Sequence, residues 1–403
     1  MNYSNLVNVY ESIEATTKRL EMTDYLVQLL KGASADSIDK LVYLTQGKLY
    51  PDFMGVEVGV AEKLVIKAIS AVSGKPEEEV EQTYKELGDL GKAAESILQR
   101  KTQQTLFQRP LTIDIVYDAL EKMAKATGSG AVEVKIRHLC SLLNDASPKE
   151  AKYIVRTVLG KLRLGIADMT ILDALAVAFG GGKEARPLIE RAYNLSSDLG
   201  LVARTVLEEG LDGVSRFKIR VGNPIRPMLA ERLSSAEEIL EKLGGKCAAE
   251  YKYDGLRIQA HLSGDRVLLF SRRLENITSQ FPDVVKILSE HVKRKECVLE
   301  GECVAYNPNT GEMLPFQAIS QRRGRKYEID VMEKEVPVKI FLFDLLYEGG
   351  EDYTLKVYPE RRAALESLVE RSDKLDVPHQ IIAKPLRSWI DTWIKRFPRD
   401  ARA

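Results

Sequence analysis

Tryptophan occurs only twice in the 403 residues, and cysteine and histidine four times each. The cysteines (Cys140, Cys247, Cys297, Cys303) form no CxxC pair, and the histidines (His138, His261, His291, His379) are equally dispersed. This argues against a zinc site and a disulfide framework, and it fits a reducing cytoplasm. No apolar run approaches the ~18 residues that a membrane span needs. Met1-Asn2-Tyr3-Ser4-Asn5 has no basic start leading into an apolar stretch, so it is not a secretory signal. An excess of one charge is also missing, since Lys+Arg 59 equals Asp+Glu 59. A chain that is basic throughout is excluded, and any surface for nucleic acid must be a local patch.

Hydrophobic residues make up 44% and charged residues 29%, the composition of a globular chain. Its length suits two or three domains. Residues 1–220 read as helical. Leu26, Leu29 and Leu30 recur at helical spacing, as do Ile136, Leu139, Cys140, Leu142 and Leu143. Ser147-Pro148-Lys149-Glu150 predicts a helix start, with Ser147 as N-cap, Pro148 at the first helical position and Glu150 at the third. Charge is uneven within this half. Residues 1–100 hold 11 Lys/Arg against 16 Asp/Glu, whereas residues 101–165 hold 11 against 6. Neutrality therefore conceals a basic stretch suited to phosphates.

The pattern changes beyond Pro224 and Pro227. Short β-type runs follow at Leu256–Leu262, Val267–Ser271, Val298–Ala305 and Val338–Leu346, with Ser263-Gly264-Asp265 as a hairpin turn. Helical patches at Ala236–Leu243 and Pro282–Lys293 alternate with them. The expected fold is an all-α domain over 1–220, then an α+β domain built on antiparallel sheet over 221–383. Residues 384–403 form an atypical basic tail.

Glu250-Tyr251-Lys252-Tyr253-Asp254-Gly255-Leu256-Arg257 carries the most chemistry. On a strand, Glu250, Lys252 and Asp254 share one face. Gly255 then permits a turn, and Arg257 opens the next strand. A lysine amine held among carboxylates and a guanidinium is a nucleophile once partly deprotonated, and attack on an α-phosphorus gives a lysine–nucleotide phosphoramide. Companions follow in order. Arg272 ends the second strand, suited to phosphate or ribose. Glu300 and Glu302 share a strand face, suited to Mg²⁺ or a ribose hydroxyl. Phe341 and Phe343 lie in an apolar strand that can cover an adenine ring. Gly180-Gly181-Gly182-Lys183 lacks P-loop spacing and reads as a helix C-cap and loop.

With Lys252-Tyr253-Asp254-Gly255 in place, the chain resembles the nucleotidyltransferase superfamily. More closely, it resembles archaeal, replicative-type ATP-dependent DNA ligases. The likeness covers nearly all of 1–380 and includes Glu86-Leu87-Gly88-Asp89-Leu90-Gly91, Lys161-Leu162-Arg163-Leu164-Gly165, Pro227-Met228-Leu229-Ala230 and Gln321-Arg322-Arg323. The resemblance implies a helical DNA-binding domain followed by an adenylation domain. It implies a reaction that seals nicks in duplex DNA during replication, repair and recombination, using ATP and Mg²⁺. Lys252 is then the adenylated nucleophile, and Glu250 reads the adenine amino group. Arg257 and Arg272 contact ribose and phosphates, Glu302 holds ribose and metal, and Phe343 stacks on the base. Gln103-Gln104-Thr105-Leu106-Phe107 resembles the clamp-binding motif of such ligases, which makes a sliding clamp a candidate partner.

The family's later lysine motifs and OB-fold domain have no counterpart in these 403 residues. Lys384–Ala403 holds both tryptophans and six Lys/Arg where relatives carry an acidic helix. A frameshift after about Lys384 is the expectation, with impaired activity for the chain as it stands. The alternative function is a non-catalytic DNA- or clamp-binding remnant. An RNA-modifying nucleotidyltransferase is disfavoured by the helical half.

Overall fold

The structure, a computed structural model, describes residues 1–99, 109–293, 296–325 and 329–383. The chain divides into two compact units, Met1–Lys218 and Ile219–Ala403. Among the described residues, no helix is long and apolar enough to cross a membrane.

Twelve α-helices, counted among the described residues, form the first unit. Leu26, Leu29 and Leu30 are buried from helix Arg19–Lys31, and Leu139, Leu142 and Leu143 from helix Ala131–Asp145. Helix Pro148–Val158 begins as its sequence predicts. The Ser147 hydroxyl accepts from the Glu150 N–H, the Glu150 carboxylate accepts from the Ser147 N–H, and Pro148 occupies the first turn. This helix is buried along most of its length, so its cations need partners. Lys152 Nζ lies 2.6 Å from both Glu11 and Glu14, and Arg156 reaches Glu14 and Asp89. Gly91 shows why no side chain fits at that contact. A Cβ there would lie 2.6 Å from the Lys152 carbonyl oxygen. After helix Asp168–Phe179, Gly180 caps the end and Gly181 turns with φ +81°, as expected of a cap and loop.

Among the described residues, the second unit holds eight strands: β1 (Cys247–Glu250), β2 (Leu256–Ser263), β3 (Arg266–Ser271), β4 (Glu296–Ala305), β5 (Val338–Glu348), β6 (Glu351–Asp352), β7 (Leu375–Asp376) and β8 (Gln380–Ala383). The main sheet runs β3-β2-β4-β5-β6, with β7 parallel to β5. β1 and β8 form a separate antiparallel pair. Period-two alternation gives the main sheet two different faces. One presents Leu256, Ile258, Ala260 and Leu262 of β2, Cys297, Leu299, Cys303 and Ala305 of β4, and Ile340, Leu342 and Leu345 of β5. It is covered by Val284, Ile287 and Leu288 of helix Pro282–His291, Ile319 of Phe316–Ser320, and Leu365 and Leu368 of Tyr358–Leu368. The other face carries the sheet's polar side chains, set among the buried Phe270, Val298, Val304 and Phe341.

Candidate active site

The polar face carries Arg257, Gln259 and His261 from β2 beside Glu300 and Glu302 from β4. Register places Arg257 opposite Glu302 and Gln259 opposite Glu300. Phe341 of β5 lies opposite Glu302. Two shifts in the β4–β5 pairing are β-bulges. At one of them, Gly301 pairs with Leu342 and Glu300 with Asp344, which leaves Phe343 as the extra residue. A bulge re-aims a side chain, and here the Arg257 guanidinium lies 5.2 Å from the Phe343 ring centre. Arg257 also forms an ion pair with the buried Glu300.

The Lys252 segment approaches from β1. The expected strand through Asp254 ends at Glu250, and residues 251–254 belong to no strand. Exposure still alternates: Lys252 and Asp254 are exposed, while Tyr251 and Tyr253 are half-buried. Tyr253 stacks on Phe341 at 3.8 Å and 11°. Asp254 accepts from the Phe316 N–H at 3.1 Å and caps the short helix Phe316–Ser320. Gly255 serves close approach instead of the expected turn. It lacks a positive φ, and a Cβ there would lie 2.4 Å from the Cys303 carbonyl oxygen. Lys252 is thus anchored by both following residues, while its own side chain is exposed and has no ion-pair partner within 4 Å among the described residues.

Burial pushes the Glu302 carboxyl up to about 7. Arg257, Lys252 and the Gly255 N–H pull it back down, and Asp254 adds to the rise. Glu302 is therefore poised between charged and neutral near pH 7, facing both Lys252 and Arg257. The structure brings together Lys252, Arg257 and Glu302, with Glu300 and Phe343 adjoining. Arg272 is exposed just beyond β3, in a turn where Leu274 has φ +65°. It lines a small concavity with Arg257, Gln259, Ser271, Glu300 and Pro227. Glu250 stands at the end of β1, and its carboxylate accepts from Arg362 Nη1 at 2.6 Å and from the Tyr358 hydroxyl.

Motif reasoning assigns no role to several residues of this unit, although Arg322 and Arg323 fall within the Gln321-Arg322-Arg323 likeness. Arg362 is buried and also donates to Glu366 and the Pro378 carbonyl, so helix Tyr358–Leu368 fixes Glu250. Arg322 is fully buried in a two-pronged pair with Asp283, and Arg323 holds Glu275 in the Arg272 turn. Among the described residues, no group of three or more His, Cys, Asp or Glu side chains is placed to hold a metal ion. Glu302 alone suits a cation that takes one carboxylate and several phosphate oxygens, the usual manner of Mg²⁺.

In the helical unit, Lys122, Lys125, Arg137 and His138 surround a shallow concavity with Thr127 and Ser129. Among the described residues, Lys122 and Arg137 have no carboxylate partner. Burial lowers the His138 pKa, and the charges of Lys122 and Arg137 lower it further. By contrast, Lys161 and Arg163 are engaged with Glu62 and Asp89. The Gln103–Phe107 segment and the 384–403 tail lie outside the described residues.

Residues 2–176 match the family model described as DNA ligase N terminus, and residues 227–395 match the one described as ATP dependent DNA ligase domain. The chain is 56% identical over 379 residues to DNA ligase 2 of Thermofilum pendens, covering 92% of this chain and 63% of that one. It is 50% identical over 393 residues to the DNA ligase of Staphylothermus marinus, covering 94% and 66%. Against the DNA ligase of Saccharolobus solfataricus it is 47% identical over 391 residues, covering 95% and 65%. Among solved structures, "Pmar-Lig_Pre." aligns with a TM-score of 0.52 at 13% identity over 97% of this chain and 70% of that one, a likeness of fold alone. The chain spans about two thirds of the length of the curated relatives it matches.

Proposed function

This chain belongs to the ATP-dependent DNA ligase family, and we propose that it carries the DNA-binding and adenylation modules of an enzyme that seals nicks in duplex DNA. The observation that carries the reading is Lys252, exposed and anchored, beside Glu302 and Arg257. In the first step the Lys252 amine, having lost its proton to solvent, attacks the α-phosphorus of ATP. A P–N bond forms, the bond to the β-phosphate oxygen breaks, and pyrophosphate leaves. A 5′-phosphate oxygen at the nick then attacks the same phosphorus and breaks the P–N bond. Finally the 3′-hydroxyl attacks the 5′-phosphate, and AMP departs.

Arg257 and Arg272 bind the ribose and phosphates and offset negative charge as it develops. Glu302 holds the ribose and would also hold Mg²⁺, whose charge would steady the reacting phosphates. Glu250, fixed by Arg362 and Tyr358, reads the adenine amino group, and Phe343 stacks on the base. The basic concavity of Lys122, Lys125, Arg137 and His138 supports duplex binding through phosphates. We assign the activity to replication, repair and recombination.

The test is incubation with α-labelled ATP and Mg²⁺, then a denaturing gel. Acid-labile label on the chain is expected. Lys252→Arg keeps the charge but holds its proton far above neutral pH and presents a planar fork, so it takes no label. A chain that takes no label, or label that survives this substitution, refutes the reading.

A further inference from the structure

Alternation on β2 places Gln259 and His261 behind Arg257 on the polar face, and both are almost wholly buried. The Gln259 amide makes four hydrogen bonds. Its Oε1 accepts from the Ile225 N–H at 2.7 Å and from His261 Nε2 at 2.9 Å. Its Nε2 donates to the Ile225 carbonyl at 2.9 Å and to Glu300 Oε1 at 3.0 Å. Those four bonds use both donors and both lone pairs of the amide. His261 Nδ1 accepts from the Gly222 N–H at 2.9 Å, so its proton sits on Nε2, and that proton fixes which way the amide faces. The strap 222–225 is therefore pinned to β2 at two points by side chains, with no ladder of its own. At its other end the amide holds one oxygen of Glu300, and Arg257 takes the other.

We propose that Gln259 is a positioning residue that ties the strap 222–225 to the Arg257–Glu300 pair, so that strap docking and nucleotide binding at Arg257 are coupled. A buried polar chain of this kind has one satisfied arrangement, and displacing either end leaves buried donors and acceptors unpaired. Pro227, two residues beyond Ile225, lines the same concavity as Arg257, Arg272 and Glu300, which brings the strap's continuation to the ligand. Coupling must run both ways: nucleotide held by Arg257 steadies the strap, and a docked strap steadies Arg257. This rests on the assignment of Arg257 to the nucleotide.

The experiment uses the whole chain and two readouts: hydrogen exchange of peptides spanning 219–227, and rates of labelling by α-labelled ATP. Gln259→Met should speed strap exchange at least tenfold and raise the KM for ATP at least tenfold, with a smaller change in kcat. Its effect on labelling should fall below about threefold in an Arg257→Ala background, because both changes cut one chain of contacts. His261→Gln should act in the same sense but more weakly, since three of the four amide bonds remain. ATP with Mg²⁺ should slow strap exchange in the wild type and not in Gln259→Met. Multiplicative effects on labelling, or equal slowing by ATP in both chains, would overturn the proposal. A wild-type chain that takes no label refutes the nucleotide reading instead. Exchange alone then decides, because Arg257→Ala must still loosen the strap, and an unchanged strap overturns the coupling.

Discussion

Acid should weaken the second unit through His261. Its ring is 1% exposed, packs edge-on to Phe270, and is bonded on both nitrogens as the neutral form. Burial lowers its pKa from 6.5 to about 3. A proton added to Nδ1 would face the Gly222 N–H, a donor set against a donor. The unfolded chain binds this proton near pH 6.5 and the folded chain near pH 3, so the unfolded state is favoured as pH falls between them. At pH 4.5, two units below the unfolded value, the loss is roughly 3 kcal/mol at about 1.4 kcal/mol per unit. Ring NMR over pH 7 to 4 should show the His261 ring silent. Denaturant unfolding of wild type and His261→Gln gives the energetic check. The fixed cost of the lost ring cancels between pH values, so the wild type's advantage should shrink by roughly 3 kcal/mol from pH 7 to 4.5. A His261 ring that titrates near 6.5, or a stability gap that does not move with pH, would refute the argument.

Gly255→Ala puts a methyl group 2.4 Å from the Cys303 carbonyl oxygen and forces β2 from β4 beside Lys252. It should cost about 1–3 kcal/mol of stability and slow labelling on the order of 10²-fold. Gly264→Ala, strained at φ +61° but in open space, should cost roughly 1–2 kcal/mol and leave labelling intact. Equal labelling by the two variants would remove the role given to close approach. A fragment of residues 1–218 should bind nicked duplex with little regard to sequence and more weakly as salt rises. Lys122→Ala with Arg137→Ala should reduce the log–log salt slope by roughly 2, at about 0.9 per phosphate contact, and an unchanged slope would move the DNA face elsewhere. Gln103→Ala with Phe107→Ala should abolish pull-down by a sliding clamp without changing DNA binding; retained pull-down would place that contact in another segment.

The short β-type runs announce β2, β3, β4 and β5 to within two residues of their ends, because apolar and β-branched runs between turn signals suit the strands of a buried sheet. The start of helix Pro148–Val158 was legible for a local reason, a cap made within four residues. The pairing of β1 with β8 was not, since two four-residue strands about 130 positions apart leave no local mark. Nor was the bulge that sets Phe343 aside, which depends on register between two strands. Gly255 reads as a turn until the Cys303 carbonyl is seen against it. Gln259 and His261 did leave a signal: polar residues alternate as Arg-x-Gln-x-His along a strand whose other positions are Leu256, Ile258, Ala260 and Leu262. A polar stripe backed by an unbroken apolar one implies buried polar partners. Arg362 gave no such cue, since its partner Glu250 lies 112 residues away.

The β1–β8 pair bears on how the chain is made. Glu250 borders Lys252 in sequence, yet the strand that carries it is completed only by Gln380–Ala383. Its clasp, Arg362, also holds the Pro378 carbonyl. During synthesis the central sheet can close around β2, β4 and β5 while β1 still waits for a neighbour with its backbone groups open to solvent. Contacts so distant along the chain form late, after local ones have organised. Lys252 therefore emerges early from the ribosome but gains its ordered flank last. A nascent chain halted before residue 380 would display the nucleophile without the edge that shapes its pocket, a natural delay between making the reactive lysine and arming it.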